Sequence, residues 1–191
     1  MKIGLFFGTY NPIHVGHMII ANYMVEYTDL DQIWFVVTPQ NPFKQKESML
    51  ADYDRLHLVN LAIGDDVRMR STDIEFNLPK PSYTSTTLTY LKEKFPQHEF
   101  ALIMGADNLN NFHKWQNYQQ IINEHELYVY PRMGANEGGE LKNHYKVNYV
   151  DAPIMKISSS FIRQSIKENK NIQHFMPSKV ANYIDEMNFF R

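Results

Sequence analysis

The sequence predicts an α/β fold built on a mainly parallel sheet. Six short apolar segments have the length and composition of strands, and segments with helical periodicity lie between them. Strands that alternate with helices favour parallel pairing, because each crossover helix returns the chain to the same end of the sheet. Ligands of such sheets bind at the carboxyl ends of the strands. The strand candidates are Ile3–Phe7, Ile33–Thr38, Val67–Arg70, Phe100–Met104, Leu127–Tyr130 and Val147–Val150.

Helix candidates occupy the intervals and the end of the chain. In the second of them, Leu56, Val59 and Ile63 recur at intervals of three and four, which predicts one buried face. The helix candidates are Val15–Tyr27, Tyr53–Ile63, Ser85–Lys94, Tyr118–Asn123, Ser160–Glu168 and Ser178–Met187.

The composition restricts the class of protein. The 191 residues are 43% hydrophobic, which predicts one globular domain over 1–191 with a C-terminal helical part at about 157–191. The net charge of −2 argues against an overall basic surface for nucleic acid. Cysteine is absent, which excludes disulfides and thiolate metal sites. With no signal peptide and no apolar run near ~20 residues, we expect a cytoplasmic protein without a membrane partner.

Two histidines stand at the junction between the first strand and the first helix. Gly8 ends the strand, and Asn11 with Pro12 predicts the start of a helix, since Asn caps and Pro is tolerated in the first turn. His14 and His17 then share one helical face beside free backbone amides, which suits a phosphate. Two ordinary turn histidines are an alternative. A metal pair is a weaker one, because the motif contains no further ligand.

A second anion-binding pattern lies near the end of the chain, in "ISSSFIRQSI" (Ile157–Ile166). Three serines before an apolar-periodic segment are candidate helix caps. Arg163 follows about one turn into the helix, where its guanidinium can make a forked contact with phosphate. A serine-capped helix with an exposed arginine is the alternative.

Both segments resemble signatures of the nucleotidylyltransferase superfamily. "GTYNPIHVGH" (Gly8–His17) is similar to (T/S)-x-x-P-x-H-x-G-H, and the C-terminal segment is similar to ISS(T/S)-x-(I/L)-R. The resemblance implies a Rossmann-like, doubly wound, mainly parallel sheet with helices on both faces. It also implies transfer of a nucleotidyl group to a phosphate-bearing acceptor, with His14, His17 and Arg163 as catalytic residues. The implied ATP-binding residues are Gly8, Thr9, Tyr10, Gly16, Gly105, Asp107, Ile157, Ser158, Ser159 and Arg163.

Three further segments resemble the bacterial nicotinate-nucleotide adenylyltransferases of that superfamily. They are "TPQNPFKQK" (Thr38–Lys46), "KPSYTSTTL" (Lys80–Leu88) and "IMGADNLNNFHKWQNYQQI" (Ile103–Ile121). In that family a lysine after the second strand neutralises phosphate, and backbone amides near the threonine meet the pyridine carboxylate. A tryptophan in the position of Trp115 suits stacking on a pyridine ring. The implied acceptor-binding residues are Asn41, Lys44, Thr84, Ser85 and Trp115.

Two positions depart from the family pattern Gly-Gly-Thr-Phe-Asp. Phe7 replaces a glycine, and Asn11 keeps a capping oxygen but lacks the charge of the aspartate. Neither departure removes the histidines, so they bear on the fine geometry of the nucleotide.

The resemblance implies a reaction in which ATP and nicotinate mononucleotide give deamido-NAD and pyrophosphate. Mg²⁺ would be held mainly by ATP phosphates and water, with no protein metal site. Pantetheine-phosphate adenylyltransferase and a non-catalytic nucleotide-binding regulator on the same fold are the alternatives. The preference for the acid or the amide of the pyridine stays open, as does assembly into a homo-oligomer.

Overall fold

The computed structural model describes residues 1–39, 49–135 and 141–191. The strands in these ranges are β1 Lys2–Gly8, β2 Gln32–Val37, β3 Met69–Thr72, β4 Glu99–Gly105, β5 Leu127–Tyr130 and β6 Val147–Tyr149. They form one sheet in the order β3-β2-β1-β4-β5-β6, and every neighbouring pair is parallel. The predicted fold class is confirmed.

The third strand begins two residues later than the sequence predicts. Met69 N donates to Asp66 O at 3.1 Å, which closes a turn before the strand. Val67 is 84% exposed on that turn. The apolar side chain of Val67 is therefore a surface residue and not part of the strand.

Helices follow the strands, as the periodicity predicts. In the described ranges they are α1 Val15–Tyr27, α2 Asp52–Ile63, α3 Thr84–Lys94, α4 Ala106–Asn110, α5 Tyr118–Glu124, α6 Ser159–Lys167 and α7 Ser178–Glu186. Short 3-10 turns lie at Ile74–Asn77, Phe112–Lys114 and Gln173–Phe175. The sequence analysis did not predict α4, which begins directly after β4. None of the helices in the described part of the chain has the length and apolarity that a bilayer span requires.

Helices cover both faces of the sheet. Leu5 and Phe6 are neighbours on β1 but belong to different apolar clusters, because side chains alternate across a strand. The cluster of Phe6 includes residues of α1, α2, α6 and α7. The cluster of Leu5 includes residues of α3, α4 and α5. The last two helices thus pack on the same sheet as the rest.

The strand order reverses between β1 and β4. β1 pairs with β2 on one side and with β4 on the other, so the two halves of the chain diverge from the middle of the sheet. Such a reversal opens a crevice at the carboxyl ends of the two strands. Gly8 and Gly105 end these strands, and both predicted phosphate-binding segments meet there.

Candidate active site

Two adjoining cavities lie at the carboxyl ends of β1 and β4. The larger has a volume of about 520 Å³, includes His14 and Arg163 in its lining and is called the His14 cavity. The second has a volume of about 370 Å³, includes Trp115 and Thr84 in its lining and is called the Trp115 cavity. Both cavities are lined by Phe6, Thr9, His17, Tyr130, Arg132 and Ser159. A ligand that extends through both would therefore have its middle beside His17 and Ser159.

The two histidines stack on each other at the start of α1. Their ring centroids lie 3.8 Å apart with an angle of 23° between the planes. His14 N donates to His17 Nδ1 at 3.3 Å, so Nδ1 acts as the acceptor. The hydrogen bond thus fixes the orientation of the His17 ring.

α1 has the predicted bounds, but Asn11 and Pro12 do not form its start. His14 is the N-cap residue, and the helix begins at Val15. Asn11 does not cap it: its Oδ1 accepts a hydrogen bond from Leu50 N at 3.0 Å. The prediction that Asn11 and Pro12 start the helix is therefore wrong. The side chain of Asn11 instead joins the turn after β1 to the segment before α2.

Burial keeps His14 uncharged. The residue is 5% exposed, and burial lowers its pKa to about 4, with a smaller contribution from the charge of Arg132. At neutral pH the ring is therefore a neutral hydrogen-bonding group. An anion beside it would favour the protonated ring.

The C-terminal motif is hydrogen-bonded to the first turn of the chain. Ser159 Oγ donates to Pro12 O at 2.9 Å, and Arg163 Nη1 donates to Asn11 O at 2.8 Å. Ser158 caps α6 by accepting from Phe161 N at 3.2 Å. The two predicted anion-binding motifs are therefore parts of one site.

Gly16 allows these two motifs to approach. A Cβ atom at this position would lie 2.7 Å from Ile157 Cγ2 and 3.0 Å from His14 Cε1. Contacts of that length are repulsive, so any side chain would displace α1 from the segment before α6. Gly16 and Ile157 both line the His14 cavity.

The turn after β1 places Thr9 and Tyr10 differently. Thr9 lines both cavities. Tyr10 adopts a positive φ of 45°, and its ring folds under Gly8, where a Cβ would lie 2.8 Å from Tyr10 Cζ. The side chain is 1% exposed and its hydroxyl donates to Phe6 O. Its backbone, more than its ring, is therefore available to a nucleotide.

Gly105, Asp107 and Arg132 meet at the ends of β4 and β5. Asp107 Oδ1 lies 3.5 Å from Arg132 Nε. A Cβ on Gly105 would lie 2.4 Å from the same Asp107 oxygen, so a side chain there would displace this carboxylate. The sequence analysis missed Arg132, although a cation directly after a strand candidate was a usable signal. Arg132 lines both cavities, whereas Asp107 lines the Trp115 cavity.

The predicted acceptor residues do not all line the same cavity. Trp115 and Thr84 line the Trp115 cavity, and the indole lies 5.2 Å from the ring of Phe112. The Ser85 side chain instead lines a small cavity between α3 and α5. The first intrahelical bonds of α3 run from the amides of Thr86 and Thr87 to Tyr83 O. The amides of Thr84 and Ser85 precede these bonds, in the turn that offers free donors. Asn41 and Lys44 lie outside the described residues.

Arg55 is a second residue that the sequence analysis missed. On α2 the fully buried residues are Arg55, Leu58 and Val59, so the predicted face through Leu56 and Ile63 is rotated by about one position. The guanidinium donates to Thr9 O at 2.6 Å and to Thr38 O at 2.9 Å. The carbonyl groups at the ends of β1 and β2 thus stabilise the buried charge of Arg55. The apolar pattern of α2 had predicted that this residue faces solvent.

Comparison with known proteins places this chain in a class. The family model described as cytidylyltransferase-like matches residues 5–165. A sheet with this strand order, and a cleft lined by His14, His17 and Arg163, define a nucleotidyltransferase of that class.

Relatives identify the branch of the class. Proteins of Flavobacterium johnsoniae and Flavobacterium psychrophilum are 60% and 56% identical, each over 100% of both chains, and both are named "probable nicotinate-nucleotide adenylyltransferase". The chain belongs to the nicotinate-nucleotide adenylyltransferase family, as the sequence motifs predict.

Solved structures support the fold. A Plasmodium falciparum nicotinic acid mononucleotide adenylyltransferase complexed with NaAD has a TM-score of 0.83 at 19% identity, covering 99% of this chain and 97% of that one. The same enzyme complexed with APC has a TM-score of 0.82 at 19% identity, covering 99% and 96%.

Proposed function

We propose that this protein transfers the adenylyl group of ATP to nicotinate mononucleotide, giving deamido-NAD and pyrophosphate. The observation that carries the proposal is the convergence of His14, His17 and Arg163 on a cavity that adjoins a second one containing Trp115. One cavity suits a triphosphate and the other a flat aromatic nucleotide. The names of the closely similar bacterial relatives agree with this substrate pair.

The reaction joins two anions. An oxygen of the acceptor 5′-phosphate attacks the α-phosphorus of ATP, a new P–O bond forms, and the bond from the α-phosphorus to the bridging oxygen breaks to release pyrophosphate. A phosphate monoester has a second pKa near ~6, so the nucleophile is mostly a dianion at neutral pH and needs no general base. Catalysis then consists of positioning the two substrates and stabilising charge.

The chain would supply hydrogen-bond donors on both sides of the reacting phosphorus. His17 and Ser159 lie on the lining that the two cavities share, where the α-phosphate would sit. His14 and Arg163 lie farther into the His14 cavity, where the β- and γ-phosphates would sit. Asp107 would accept hydrogen bonds from ribose hydroxyls, and Trp115 would stack on the pyridine ring. Lys44, outside the described residues, would neutralise the acceptor phosphate.

Mg²⁺ enters the proposal as part of the ATP substrate. Among residues 1–39, 49–135 and 141–191, no group of three or more His, Cys, Asp or Glu side chains is arranged to hold a metal ion. The described donors of the His14 cavity, imidazole, hydroxyl and guanidinium, suit phosphate oxygens better than Mg²⁺, which prefers carboxylates and water. The ion, held by phosphates and water, would neutralise charge on the triphosphate.

Pyrophosphate release tests the function directly. The enzyme is supplied with MgATP and with nicotinate mononucleotide, nicotinamide mononucleotide or phosphopantetheine in separate reactions. We expect turnover with a pyridine mononucleotide. Turnover with phosphopantetheine alone would establish the alternative enzyme, and ATP binding without pyrophosphate release would establish a regulator. Fractionation and light scattering would test the expected cytoplasmic location and assembly into a homo-oligomer.

A further inference from the structure

Phe7 is an aromatic residue to which the reaction described above assigns no role. It stands where the family pattern has glycine, so the chain has a benzyl group at a position where the pattern has no side chain. The residue is half-buried and lies next to Gly8, at the carboxyl end of β1. This end of the strand faces the crevice in which the two cavities lie, so the added ring bears on the site.

β1 loses one of its two neighbouring strands at Phe7. Phe6 is the last residue of β1 that pairs with β4, opposite Ile103, whereas pairing with β2 continues to the end of the strand. The crevice between β1 and β4 therefore begins at Phe7. Since side chains alternate along a strand, Phe7 points to the same face of the sheet as Leu5, and there it packs against the apolar cluster that Trp115 also contacts.

Phe7 belongs to the acceptor end of the cleft. Among the described residues, it lines the Trp115 cavity and is absent from the lining of the His14 cavity. Phe6, its neighbour on the other face of the sheet, lines both cavities. A ligand group in contact with the ring of Phe7 would therefore be part of the acceptor and not of the triphosphate.

The ring of Phe7 is available to a ligand. Within residues 1–39, 49–135 and 141–191, no ring–ring contact involves Phe7. Phe6, by contrast, is 4% exposed and packs against the rings of Tyr10, His17, Phe35 and Tyr130. An aromatic ring that lines a cavity and has no ring partner offers apolar area and a preferred geometry to a flat ligand.

The same ring restricts the size of the cavity. With Phe7 in its lining, the Trp115 cavity has a volume of about 370 Å³, towards the lower end of the range of about 300–1,000 Å³ for small-molecule sites. Phe7 cannot move aside easily, because it belongs to a strand and packs against a buried cluster. Truncation of its side chain would therefore add the volume of about one aromatic ring to the cavity.

We propose that Phe7 is a specificity-determining residue for the acceptor: its ring forms an apolar wall of the Trp115 cavity that packs against the base of the mononucleotide and restricts that base to a single ring. This inference rests on the proposed function and adds the size of the acceptor base to it. Phe7 contacts the acceptor away from its reacting phosphate, so its loss should change acceptor binding.

The two KM values test the contact with the base. Phe7→Ala should raise KM for nicotinate mononucleotide by about tenfold while KM for MgATP stays within about twofold, because the ring lines the acceptor cavity alone. Phe7→Leu keeps most of the apolar volume but not the flat face, and it should give a smaller increase. An unchanged KM for the mononucleotide, or equal increases in both KM values, would overturn the proposal.

A larger acceptor tests the restriction in size. The mononucleotide of quinoline-3-carboxylate has the carboxylate and ribose phosphate of nicotinate mononucleotide and one further fused ring. The kcat/KM of the wild-type enzyme should be at least about tenfold lower for this acceptor, and Phe7→Ala should reduce that preference by about tenfold. Phe7→Leu should keep the preference, since it keeps the volume. Equal use of both acceptors by wild type, or an unchanged preference in Phe7→Ala, would overturn the proposal.

Phe95→Ala is the matched control. Phe95 is also half-buried and packs against the same apolar cluster, but it follows α3, lies 5.3 Å from the ring of Trp34 and is outside the described lining of both cavities. Urea unfolding should show a loss of stability in both alanine variants, whereas only Phe7→Ala should change KM. An equal rise in acceptor KM in Phe95→Ala would show that packing of the cluster, and not contact with the base, is responsible.

The outcomes distinguish this inference from the function on which it rests. No pyrophosphate release by wild-type enzyme with either pyridine mononucleotide would overturn both. Turnover by wild type together with wild-type kinetics in Phe7→Ala would overturn the role of Phe7 alone. If Phe7→Ala does not fold, Phe7→Leu decides: a rise in KM for the mononucleotide without a rise for MgATP supports the role, and wild-type values of both overturn it.

Discussion

Arg163 Nη1 donates a hydrogen bond to the backbone carbonyl of Asn11 at 2.8 Å, across 152 positions of sequence. This contact joins the first turns of α6 to the turn after β1. The guanidinium has further N–H groups, one of which reaches Ser160 Oγ at 3.3 Å. Arg163 therefore links the two segments that line the His14 cavity, and it is itself part of that lining. The same side chain can stabilise the site and bind a phosphate.

Replacing His17 by alanine should lower kcat by about 10²–10³, the scale seen when one charge-stabilising donor is lost. His17 lines both cavities, and the hydrogen bond from His14 N to its Nδ1 fixes the orientation of the ring. Steady-state pyrophosphate release measures the change. His174→Ala, on an exposed turn, is the control. A kcat near that of wild type in His17→Ala would remove the phosphate-binding role.

Replacing Trp115 by alanine should raise KM for the mononucleotide by about tenfold, because stacking contributes roughly 0.5–1.5 kcal/mol beyond burial. KM for ATP should change little, since Trp115 lines only the acceptor cavity of the two. Trp115→Phe should recover part of the loss. Equal increases in both KM values would mean that the indole serves packing against Phe112 instead.

Acid should destabilise the fold through His14. Burial lowers the pKa of His14 to about 4 from an ordinary value of 6.5, so the unfolded chain binds a proton that the folded one excludes between these values. Stability therefore rises with pH across this window and is lost as pH falls from 6.5 towards 4, by up to about 3 kcal/mol.

Urea unfolding of wild type and His14→Asn at pH 7 and pH 4.5 measures this contribution. Asparagine does not titrate, so the variant should lose about 1–3 kcal/mol less over the same interval. Carboxylates also protonate there, and the comparison between the two proteins removes their share. Parallel losses in both proteins would contradict the assignment to His14.

Replacing Arg55 by methionine should lower the free energy of unfolding by about 3–5 kcal/mol, because Thr9 O, Thr38 O and the carboxylate of Asp52 lose their donor. kcat should fall as well, since Thr9 lines both cavities. Arg68→Met is the matched control: Arg68 pairs with Asp66 at 2.7 Å but is 40% exposed, so its loss should cost about 1 kcal/mol or less. Similar losses in the two variants would show that the buried contacts of Arg55 add nothing.

Much of the fold was predictable from local pattern. All six strand candidates correspond to strands, and the predicted Val15–Tyr27 helix has the bounds of α1. These elements can be predicted because apolar residues recur every two positions in a half-buried strand and every three to four positions in a half-buried helix. The predictions were wrong where a side chain pairs with a residue from a distant segment of the chain. Asn11 meets Leu50 and does not cap α1, and Arg55 is buried because carbonyls of two strand ends receive it.

The residues of the candidate site also differ in how far the sequence predicts them. His14, His17, Ser159 and Arg163 could be named from the sequence because each belongs to a short motif whose spacing has a chemical meaning. Arg132 was missed, although a cation just after a strand candidate was a usable signal. The direction of the Ser85 side chain, towards α5, depends on the rotation of α3 against its neighbours.

The sequence by itself determined the alternation of strands and helices, the parallel sheet and the family, because these follow from periodicity and from motifs a few residues long. The tertiary structure alone decided how these motifs share one cleft and which charged groups lie buried beside it. Burial of Arg55, Glu75 and His14 depends on hydrogen-bonding groups and packing from distant segments, and such partners exist only once the chain has folded.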